Sequence, residues 1–249
     1  MQQAISAPTL RTYGWKFILT AVLFCAAMVQ AQTFTPLADF TTEIGGGPGS
    51  PLIQGLDGNL YGTAGISGIG KGGAVFAATS SGTISDLFSF CKDKTCPTGR
   101  GPYLGLLQIS NGSFFGFTEG SSFNGTLFRL SASGVINNLF TFCASNCIPD
   151  GESPRTNLIE ARNGDLYGTT NAGGNHSNGT IFKLTTSGTV TTVYDFCQLT
   201  NCADGGGPLG FGSLIQATDG NLYGVTRNGT ALSVNSDQIG TVFDITLSN

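Results

Sequence analysis

The sequence predicts an all-β protein assembled from four copies of one antiparallel unit. Three observations support this. A six-residue motif occurs four times, each copy is accompanied by short segments rich in β-branched and aromatic residues, and no window of helical periodicity reaches ten residues. A repeat period slightly above 50 residues is typical of arrays, propellers and solenoids.

The repeated motif places Asp-Gly or Asn-Gly between two apolar segments. Its copies are Asp57–Gly62, Asn111–Gly116, Asn163–Gly168 and Asp219–Gly224. These dipeptides favour the positive φ angles of a tight hairpin turn. A calcium loop is the alternative, but calcium needs six or more oxygen ligands, and the turn Asn111-Gly112-Ser113 has no carboxylate. A hairpin is therefore predicted at each copy.

Four strands are predicted in each complete copy. In the first copy they are Pro51–Gly55, Asn59–Ala64, Ala74–Thr79 and Thr83–Phe90. The aromatic residue of the motif is predicted to pack between sheets, since Phe replaces Tyr in the second copy and the hydroxyl is dispensable there. A ring of sugar-stacking aromatics is the alternative. These aromatics are Tyr61, Phe115, Tyr167 and Tyr223.

The fourth copy reaches Asn249 without the last strand of the unit. The pattern of that strand, Leu87–Phe90 in the first copy, occurs again near the start of the chain as Leu37–Phe40. Pairing the two ends would close a ring and cover an exposed sheet edge. A solenoid would instead need capping repeats with polar faces. The predicted fold is thus a four-bladed β-propeller of four-stranded antiparallel blades, closed by the N-terminal strand.

Residues 1–31 have the features of a signal peptide. Arg11 and Lys16 precede the 12-residue apolar segment Phe17–Met28, and Val29-Gln30-Ala31 fits a cleavage site. A retained anchor is the alternative, although 12 apolar residues are short for a membrane span. The remainder, 32–249, is predicted to be one domain. Its repeats are about 48–96, 97–147, 148–202 and 203–249, with 33–41 as the closing strand.

The predicted mature chain is acidic. Without Arg11 and Lys16 it has nine basic residues against 15 acidic ones, a net charge of −6. No cluster of Lys and Arg remains, which argues against nucleic acid and anionic membrane surfaces as partners. No cofactor is expected. The sequence leaves the oligomeric state open.

Six cysteines occupy equivalent places in the first three copies. In an exported chain they predict three local disulfides. A metal site is the alternative, but the spacings are not those of zinc pairs and each pair belongs to a different repeat. The predicted pairs are Cys91 with Cys96, Cys143 with Cys147, and Cys197 with Cys202.

The long loops of the repeat are predicted to share one end of the strands. Loops on a rigid scaffold are where binding tends to occur. The candidate binding residues there are Glu119, Asp150, Glu152, His176, Asp204 and Arg227. His176 is the only histidine and no nucleophile motif lies near it, which argues against a catalytic triad. Two of the loop carboxylates at roughly 5 to 9 Å could serve a glycosidase.

The third copy resembles the choice-of-anchor GloVer tandem-repeat family. The matching stretches are Gly164–Thr170, Gly173-Gly174 and Gly179–Thr185, and the resemblance extends over about Phe34 to Thr246. It implies a secreted or surface-displayed bacterial protein, and no catalytic residue is carried over from it. The predicted function is a binding or scaffold module for a glycan or a protein. A carbohydrate-active enzyme and a purely structural envelope protein are the alternatives.

Overall fold

A computed structural model describes residues 33–247, except 67, 93–95, 120–123, 145–146, 209–212 and 230–239. The chain divides into two compact units, Met1–Pro36 and Leu37–Asn249. The predicted signal peptide lies outside the described residues. Within the described part of the second unit there are antiparallel strands, one short 3-10 helix (Thr200–Cys202) and no α-helix. The all-β antiparallel prediction is confirmed.

The strands form four successive sheets along the chain. The first sheet contains β1 (Gly46–Pro48), β2 (Ile53–Gln54), β3 (Leu60–Ile66), β4 (Ala74–Ala78) and β5 (Ile84–Ser89). The second contains β6 (Leu107–Gln108), β7 (Phe114–Thr118), β8 (Thr126–Leu130) and β9 (Ile136–Thr141). The third contains β10 (Glu152–Pro154), β11 (Ile159–Glu160), β12 (Leu166–Ala172), β13 (Thr180–Leu184) and β14 (Val190–Asp195). The fourth contains β15 (Ile215–Gln216), β16 (Leu222–Val225) and β17 (Val242–Ile245).

The first strand of the unit differs from the prediction because it is broken into two pieces. In the first sheet, β1 and β2 both pair with β3, and Pro51 lies between them. Proline has no N–H for the ladder. At the break the N–H of Thr63 donates to the side-chain Oγ of Ser50 at 3.0 Å rather than to a strand carbonyl. The prediction Pro51–Gly55 was therefore wrong in extent: the pairing begins at Gly46 and ends at Gln54.

The glycine of the repeated motif is explained by a ring on the neighbouring strand. Gly168 of β12 is paired with Phe182 of β13. A Cβ at Gly168 would lie only 2.6 Å from Phe182 Cζ, so the aromatic ring occupies the space a side chain would need. Equivalent contacts recur in the other sheets, at Gly62 with Phe76, Gly116 with Phe128, and Gly224 with Phe243. The Leu-Tyr-Gly and Gly-Thr-x-Phe segments are therefore two halves of one packing unit.

The turn of the motif is a hairpin, as predicted. Gly164 has φ +81°, with no atom near the position of a Cβ. In the first copy Asp57 Oδ1 accepts the N–H of Asn59 at 3.1 Å, and Asp57 Oδ2 accepts the hydroxyl of Tyr61 at 2.7 Å. The hydrogen bond from Tyr61 is the main cause of a lowered pKa at Asp57. The carboxylate thus stabilises the turn itself.

Successive sheets pack face to face through apolar side chains. We call the face toward the next sheet along the chain the forward face, and the opposite face the rear face. At the first junction, Tyr61, Val75 and Phe90 of the forward face pack on Leu106, Phe114, Phe128 and Leu130 of the rear face. Equivalent residues form the other two junctions, with Phe115, Leu127 and Phe142 at the second and Tyr167, Ile181 and Phe196 at the third.

The aromatic residues of the motif contribute to these junctions. Tyr61, Phe115 and Tyr167 are buried, and the rings of Tyr61 and Phe114 lie 4.5 Å apart. The fourth, Tyr223, is half-buried. Packing between sheets, rather than a surface ring of aromatics, is confirmed for the first three.

The predicted N-terminal closing strand is not formed. Residues 33–40 contain no strand, and β17 has no outer partner among the described residues. Phe40 nevertheless packs edge-on against Phe76 of the first sheet, with ring centroids 4.9 Å apart. The closed four-bladed ring stays a prediction.

Candidate functional site

The long loops and the connections between sheets lie at the same end of the strands. Each connection hydrogen-bonds to the loop that joins the two middle strands of the preceding sheet. The three equivalent bonds are Gly101 N–H to Gly72 O (2.7 Å), Ser153 N–H to Asn124 O (2.8 Å) and Gly207 N–H to Asn178 O (2.7 Å). The tight turns lie at the opposite ends of the strands. This grouping agrees with the predicted loop-rich end.

Three disulfides lie within the connections, as predicted. They join Cys91 with Cys96, Cys143 with Cys147, and Cys197 with Cys202. Glu152 Oε2 lies 3.2 Å from the Sγ of Cys147. In the described part of the chain, Cys143, Cys147 and Glu152 form the one group of three or more His, Cys, Asp or Glu side chains close enough together to ligate a metal. Because both sulfurs are bonded to each other, only the carboxylate remains as a ligand.

A glycine at the end of each connection rests on a threonine of the following sheet. Gly151 has φ +77°, and a Cβ there would lie 2.1 Å from Thr170 Oγ1 and 2.8 Å from Thr180 Oγ1. These two hydroxyls are buried and lie 2.9 Å from each other. Gly99 and Gly205 occupy the equivalent places over Thr118 and Thr226. The loop-rich end is thus fixed to the sheets by backbone contact.

Replacing Gly151 by Ala is expected to destabilise the protein by about 2–4 kcal/mol, combining left-handed backbone strain with overpacking. Gly164→Ala is the matched control, because Gly164 has a similar φ but free space around its Cβ position. The control should cost only about 1–2 kcal/mol. Urea unfolding of both variants measures the difference, and equal losses would show that the contact with Thr170 is not tight.

A polar groove runs along β14 and reaches the loop-rich end of the third sheet. Its volume is about 530 Å³, and it is lined by Pro149, Asp150, Asn175, Val190–Asp195 and Gln198. One wall of the groove is the loop that contains Asn175. Asp195 holds this loop in place, because its carboxylate accepts the backbone N–H of Asn175 at 2.8 Å and the Nδ2 of Asn175 at 2.5 Å. The hydroxyl of Thr192 donates to Pro149 O at 3.0 Å and holds the opposite wall.

The groove combines carboxylates, amides, hydroxyls and one aromatic ring. Asp150 and Asp195 supply the carboxylates, Asn175 and Gln198 the amides, and Tyr194 the ring. No lysine, arginine or histidine is among the lining residues. Such a surface can donate and accept hydrogen bonds with a polyhydroxyl ligand, whereas its negative charge disfavours an anion.

A smaller cavity adjoins the groove at Tyr194. It measures about 230 Å³ and lies between β14 and β17. In it Asp204 accepts hydrogen bonds from the Tyr194 hydroxyl (2.9 Å) and from the N–H groups of Gln198 (3.1 Å) and Leu199 (3.2 Å). Burial by itself would raise the pKa of Asp204, but these hydrogen bonds together lower it. Burial and the bond to Asp204 raise the pKa of Tyr194.

Tyr194→Phe is expected to raise the pKa of Asp204 in the folded protein, because the hydroxyl donates to the ionised carboxylate. The folded pKa lies below the unfolded value of 3.8. The carboxylate therefore stabilises the fold above that value, and this stabilisation is lost as the pH falls through the folded pKa. NMR titration of the Asp204 carboxyl checks this. Tyr223→Phe is the control. The hydroxyl of Tyr223 donates to Asp219, so its removal should leave the pKa of Asp204 unchanged.

Glu119 belongs to a different cluster, at the junction of the second and third sheets. Its carboxylate lies beside Gly101, and the guanidinium of Arg155 stands 5.7 Å from the ring centre of Tyr103. The Tyr103 hydroxyl donates to Pro154 O. Burial raises the pKa of Tyr103 to about 12; Arg155 opposes this rise and Glu119 adds to it. Tyr103 and Arg155 were not predicted from the sequence, because neither recurs in the other copies.

The other two predicted residues are exposed. His176 lies in the loop next to Asn175, and its carbonyl accepts the Nδ2 of Asn178 at 2.8 Å. The backbone N–H of Arg227 donates to Gly207 O at 3.3 Å. Of the six candidates, only Asp150 lines the groove.

The sequence did not indicate Asp195 and Asn175 as site residues. A signal for Asp195 exists, since it stands where the first and second copies have Ser89 and Thr141. Asn175 became recognisable only through its contact with Asp195.

Comparison with known proteins identifies the family. A family model described as the Gloeobacter/Verrucomicrobia repeat matches residues 120–249, more than half of the chain. The chain belongs to the Gloeobacter/Verrucomicrobia repeat family. The GloVer resemblance noted in the sequence is thereby confirmed. A search of curated proteins gives no match.

Several solved structures are similar to this chain of the repeat family at low identity. The extracellular domain assigned to a hybrid two-component system from Bacteroides thetaiotaomicron is similar with TM-score 0.47 and 13% identity, over 69% of this chain and 19% of that one. A protein described as a gluconolactonase gives 0.46 and 12%, over 76% and 61%. TolB from Acinetobacter baumannii gives 0.44 and 14%, over 75% and 38%. The chain spans less than two thirds of each of these three.

In the described part of the repeat protein, no helix has the length and apolar character needed to cross a membrane. The three disulfides are consistent with an extracellular or periplasmic protein.

Proposed function

We propose that this repeat protein is exported and binds a neutral glycan in the groove beside β14. One observation carries the proposal: the groove presents carboxylate, amide and hydroxyl groups from Asp150, Asn175, Thr192, Asp195 and Gln198, without a basic residue. Its volume falls in the range of small-molecule sites. Two of its walls are held by hydrogen bonds, which lowers the entropic cost of binding.

The proposal assigns different parts to the other predicted residues. Asp204 adjoins the groove through Tyr194, so a longer glycan would reach it. Glu119, Glu152, His176 and Arg227 lie elsewhere at the loop-rich end and are proposed as contacts for a larger partner, such as a protein. Under the alternative of a purely structural envelope protein, none of these side chains binds a ligand.

The same proposal includes the propeller architecture. The four sheets are blades, and an N-terminal segment, residues 33–41, supplies the outer strand of the fourth blade. In its simplest form that segment belongs to the same chain, and the ring has four blades. The packing of Phe40 on Phe76 supports this role for the segment.

Asp150→Ala and Asp195→Ala are each expected to weaken glycan binding at least tenfold, because hydrogen bonds to charged groups contribute about 1.5–3 kcal/mol. A glycan array with the chain 32–249 identifies a neutral oligosaccharide, and calorimetry measures its Kd. Glu160→Gln is the control, because Glu160 is exposed beside a tight turn at the other end. Unchanged affinity in both groove variants, or binding of anionic glycans only, would contradict the proposal.

A carbohydrate-active enzyme is the second candidate, favoured by two carboxylates, Asp150 and Asp195, in one groove. Glycosidases use such a pair as acid and base or nucleophile. Release of reducing ends from the bound oligosaccharide would support catalysis if it is lost in both Ala variants. Binding without release, or release that survives both changes, would exclude this mechanism.

A further inference from the structure

The forward face of the fourth sheet is uncovered. Val242 is 79% exposed, whereas its equivalents at the three junctions, Val75, Leu127 and Ile181, are at most 1% exposed. Val225 and Ile215 on this sheet are also exposed. The side chains that elsewhere form the interior of a junction therefore face solvent here.

The rear face of the first sheet is uncovered in the matching way. Leu52 is 53% exposed, whereas its equivalents Leu106, Leu158 and Leu214 are at most 5% exposed. Leu60 and Ala78 are half-buried, although the equivalents of Leu60 in the other sheets are fully buried. The unit Leu37–Asn249 thus carries both halves of one further junction, and in this structure they do not meet.

Residues Leu37–Phe40 already occupy one position of that missing junction. Leu37 O lies against Gly82, just as Leu87 O lies against Gly134 at the first internal junction. The ring of Phe40 packs on Phe76, as Phe90, Phe142 and Phe196 pack on Phe128, Phe182 and Phe243 with centroids 5.2–5.5 Å apart. The segment sits on the first sheet where the outer strand of a preceding sheet would sit.

We propose that these two faces dock onto a second copy of the chain, head to tail, so that Leu37–Phe40 of each copy becomes the outer strand beside β17 of the other. Continuity with the internal junctions identifies the occupant, since each end face carries the residues that the other type of face meets at those junctions. The three junctions pack alike and still leave the end faces apart within one chain. A second copy covers both faces without altering those junctions. Such a pair uses the same heterologous contact twice and closes on itself.

The internal repeats predict the hydrogen bonds of this contact. In the complete sheets the phenylalanine that directly follows the outer strand donates its N–H to a glycine carbonyl, at Gly73, Gly125 and Gly179. By equivalence, Phe40 N–H should donate to Gly240 O of the other copy. Thr180 is opposite Asp195 in the third sheet, so Thr241 should lie opposite Asp39. This mode is strand addition at an open sheet edge.

A side chain at the tight-turn end adds a further expected contact. Gln108 Oε1 and Gln216 Oε1 accept the N–H groups of Leu56 and Arg162 from the preceding sheet, at 2.8 and 2.9 Å. The Nε2 of Gln54 donates to Gly58 O, just as the Nε2 atoms of Gln108 and Gln216 donate to carbonyls of their own turns. Within the described ranges, however, no donor hydrogen-bonds to Gln54 Oε1. Thr218 N–H of the second copy should donate to it.

The inference rests on the proposal that the four sheets are blades. It replaces the four-bladed ring of one chain with a ring of eight blades from two chains, and it is independent of glycan binding. Its test mixes a chain 32–249 that carries Asp39→Cys with one that carries Thr241→Cys, followed by electrophoresis without reductant. We expect a covalent species of two chains.

Light scattering of the unmodified protein should give twice the mass of one chain. Val242→Asp should halve that mass, whereas Val135→Asp, at an exposed turn of the second sheet, should not.

A one-chain mass for the unmodified protein would overturn the inference. A second variant carries both Asp39→Cys and Thr241→Cys in one chain. The inference would also be overturned if this variant formed a disulfide within its own chain while the mixture of the two single variants gave no two-chain product. That second result would instead support the four-bladed ring within one chain. Because neither measurement uses a glycan, failure here leaves the proposed binding groove to its own test.

Discussion

Reduction of the three disulfides is expected to lower the free energy of unfolding by about 2 kcal/mol for each bond and ~6 kcal/mol in total. Each bond closes a loop with a sequence separation of only four or five residues. Such short loops restrict the unfolded chain less than long ones do. The total is still large compared with the usual stability of a domain, about 5–15 kcal/mol.

Urea unfolding with and without a phosphine reductant measures this loss. The double variant Cys197→Ser with Cys202→Ser is the internal control, and it should show about one third of the effect. An unchanged urea midpoint after complete reduction, checked by mass, would contradict the assigned role of the disulfides.

Phe182→Ala is expected to destabilise the protein by about 3–5 kcal/mol, the usual cost of removing a fully buried Phe. The ring is fully buried at the second junction, 5.2 Å from that of Phe142 and 6.3 Å from that of Phe117. It also covers Gly168, which has no side chain to fill the cavity left behind.

Phe243→Ala is the matched control, because Phe243 covers Gly224 in the same way but is only half-buried. In dilute solution, Phe243→Ala should lower the free energy of unfolding clearly less than Phe182→Ala does. Denaturant unfolding of both variants gives the two values. Equal losses, or a loss below about 1 kcal/mol at Phe182, would contradict face-to-face packing of the sheets.

The four-fold unit could be predicted from the sequence because its local signals agree with one another. Asp-Gly and Asn-Gly specify the turns, and alternating apolar residues specify the strands on either side. The pairing of Gly168 with Phe182 could not be foreseen, since it depends on the register between two strands. The break between β1 and β2 was missed for a similar reason: Ser50 replaces a ladder bond with a side-chain bond.

The binding groove was predicted only in part. The sequence indicated the loop-rich end and Asp150, because loop position follows from the order of turns. It did not indicate that Asp195 would hold Asn175, because this contact joins residues 20 positions apart on a strand end and a loop. The remaining predicted acids were selected by loop membership alone, and the structure distributes them among separate clusters.

Closure of the ring remains the least predictable feature. The pattern shared by Leu37–Phe40 and Leu87–Phe90 indicated an outer strand. A pattern cannot state whether that strand completes the fourth sheet of its own chain or of another copy. The exposure of Val242 and Leu52 provides the physical reason to consider a second copy.

Hydrogen–deuterium exchange of the chain 32–249, with and without a neutral oligosaccharide selected on the array, tests the central claim most directly. Ligand contact should slow exchange of backbone amides around Asn175 and in Val190–Gln198, while the tight turns at Asp57-Gly58 and Asn163-Gly164 stay unchanged. Protection confined to the tight-turn end, or saturating binding with no protection around the groove, would contradict the assignment of the binding site.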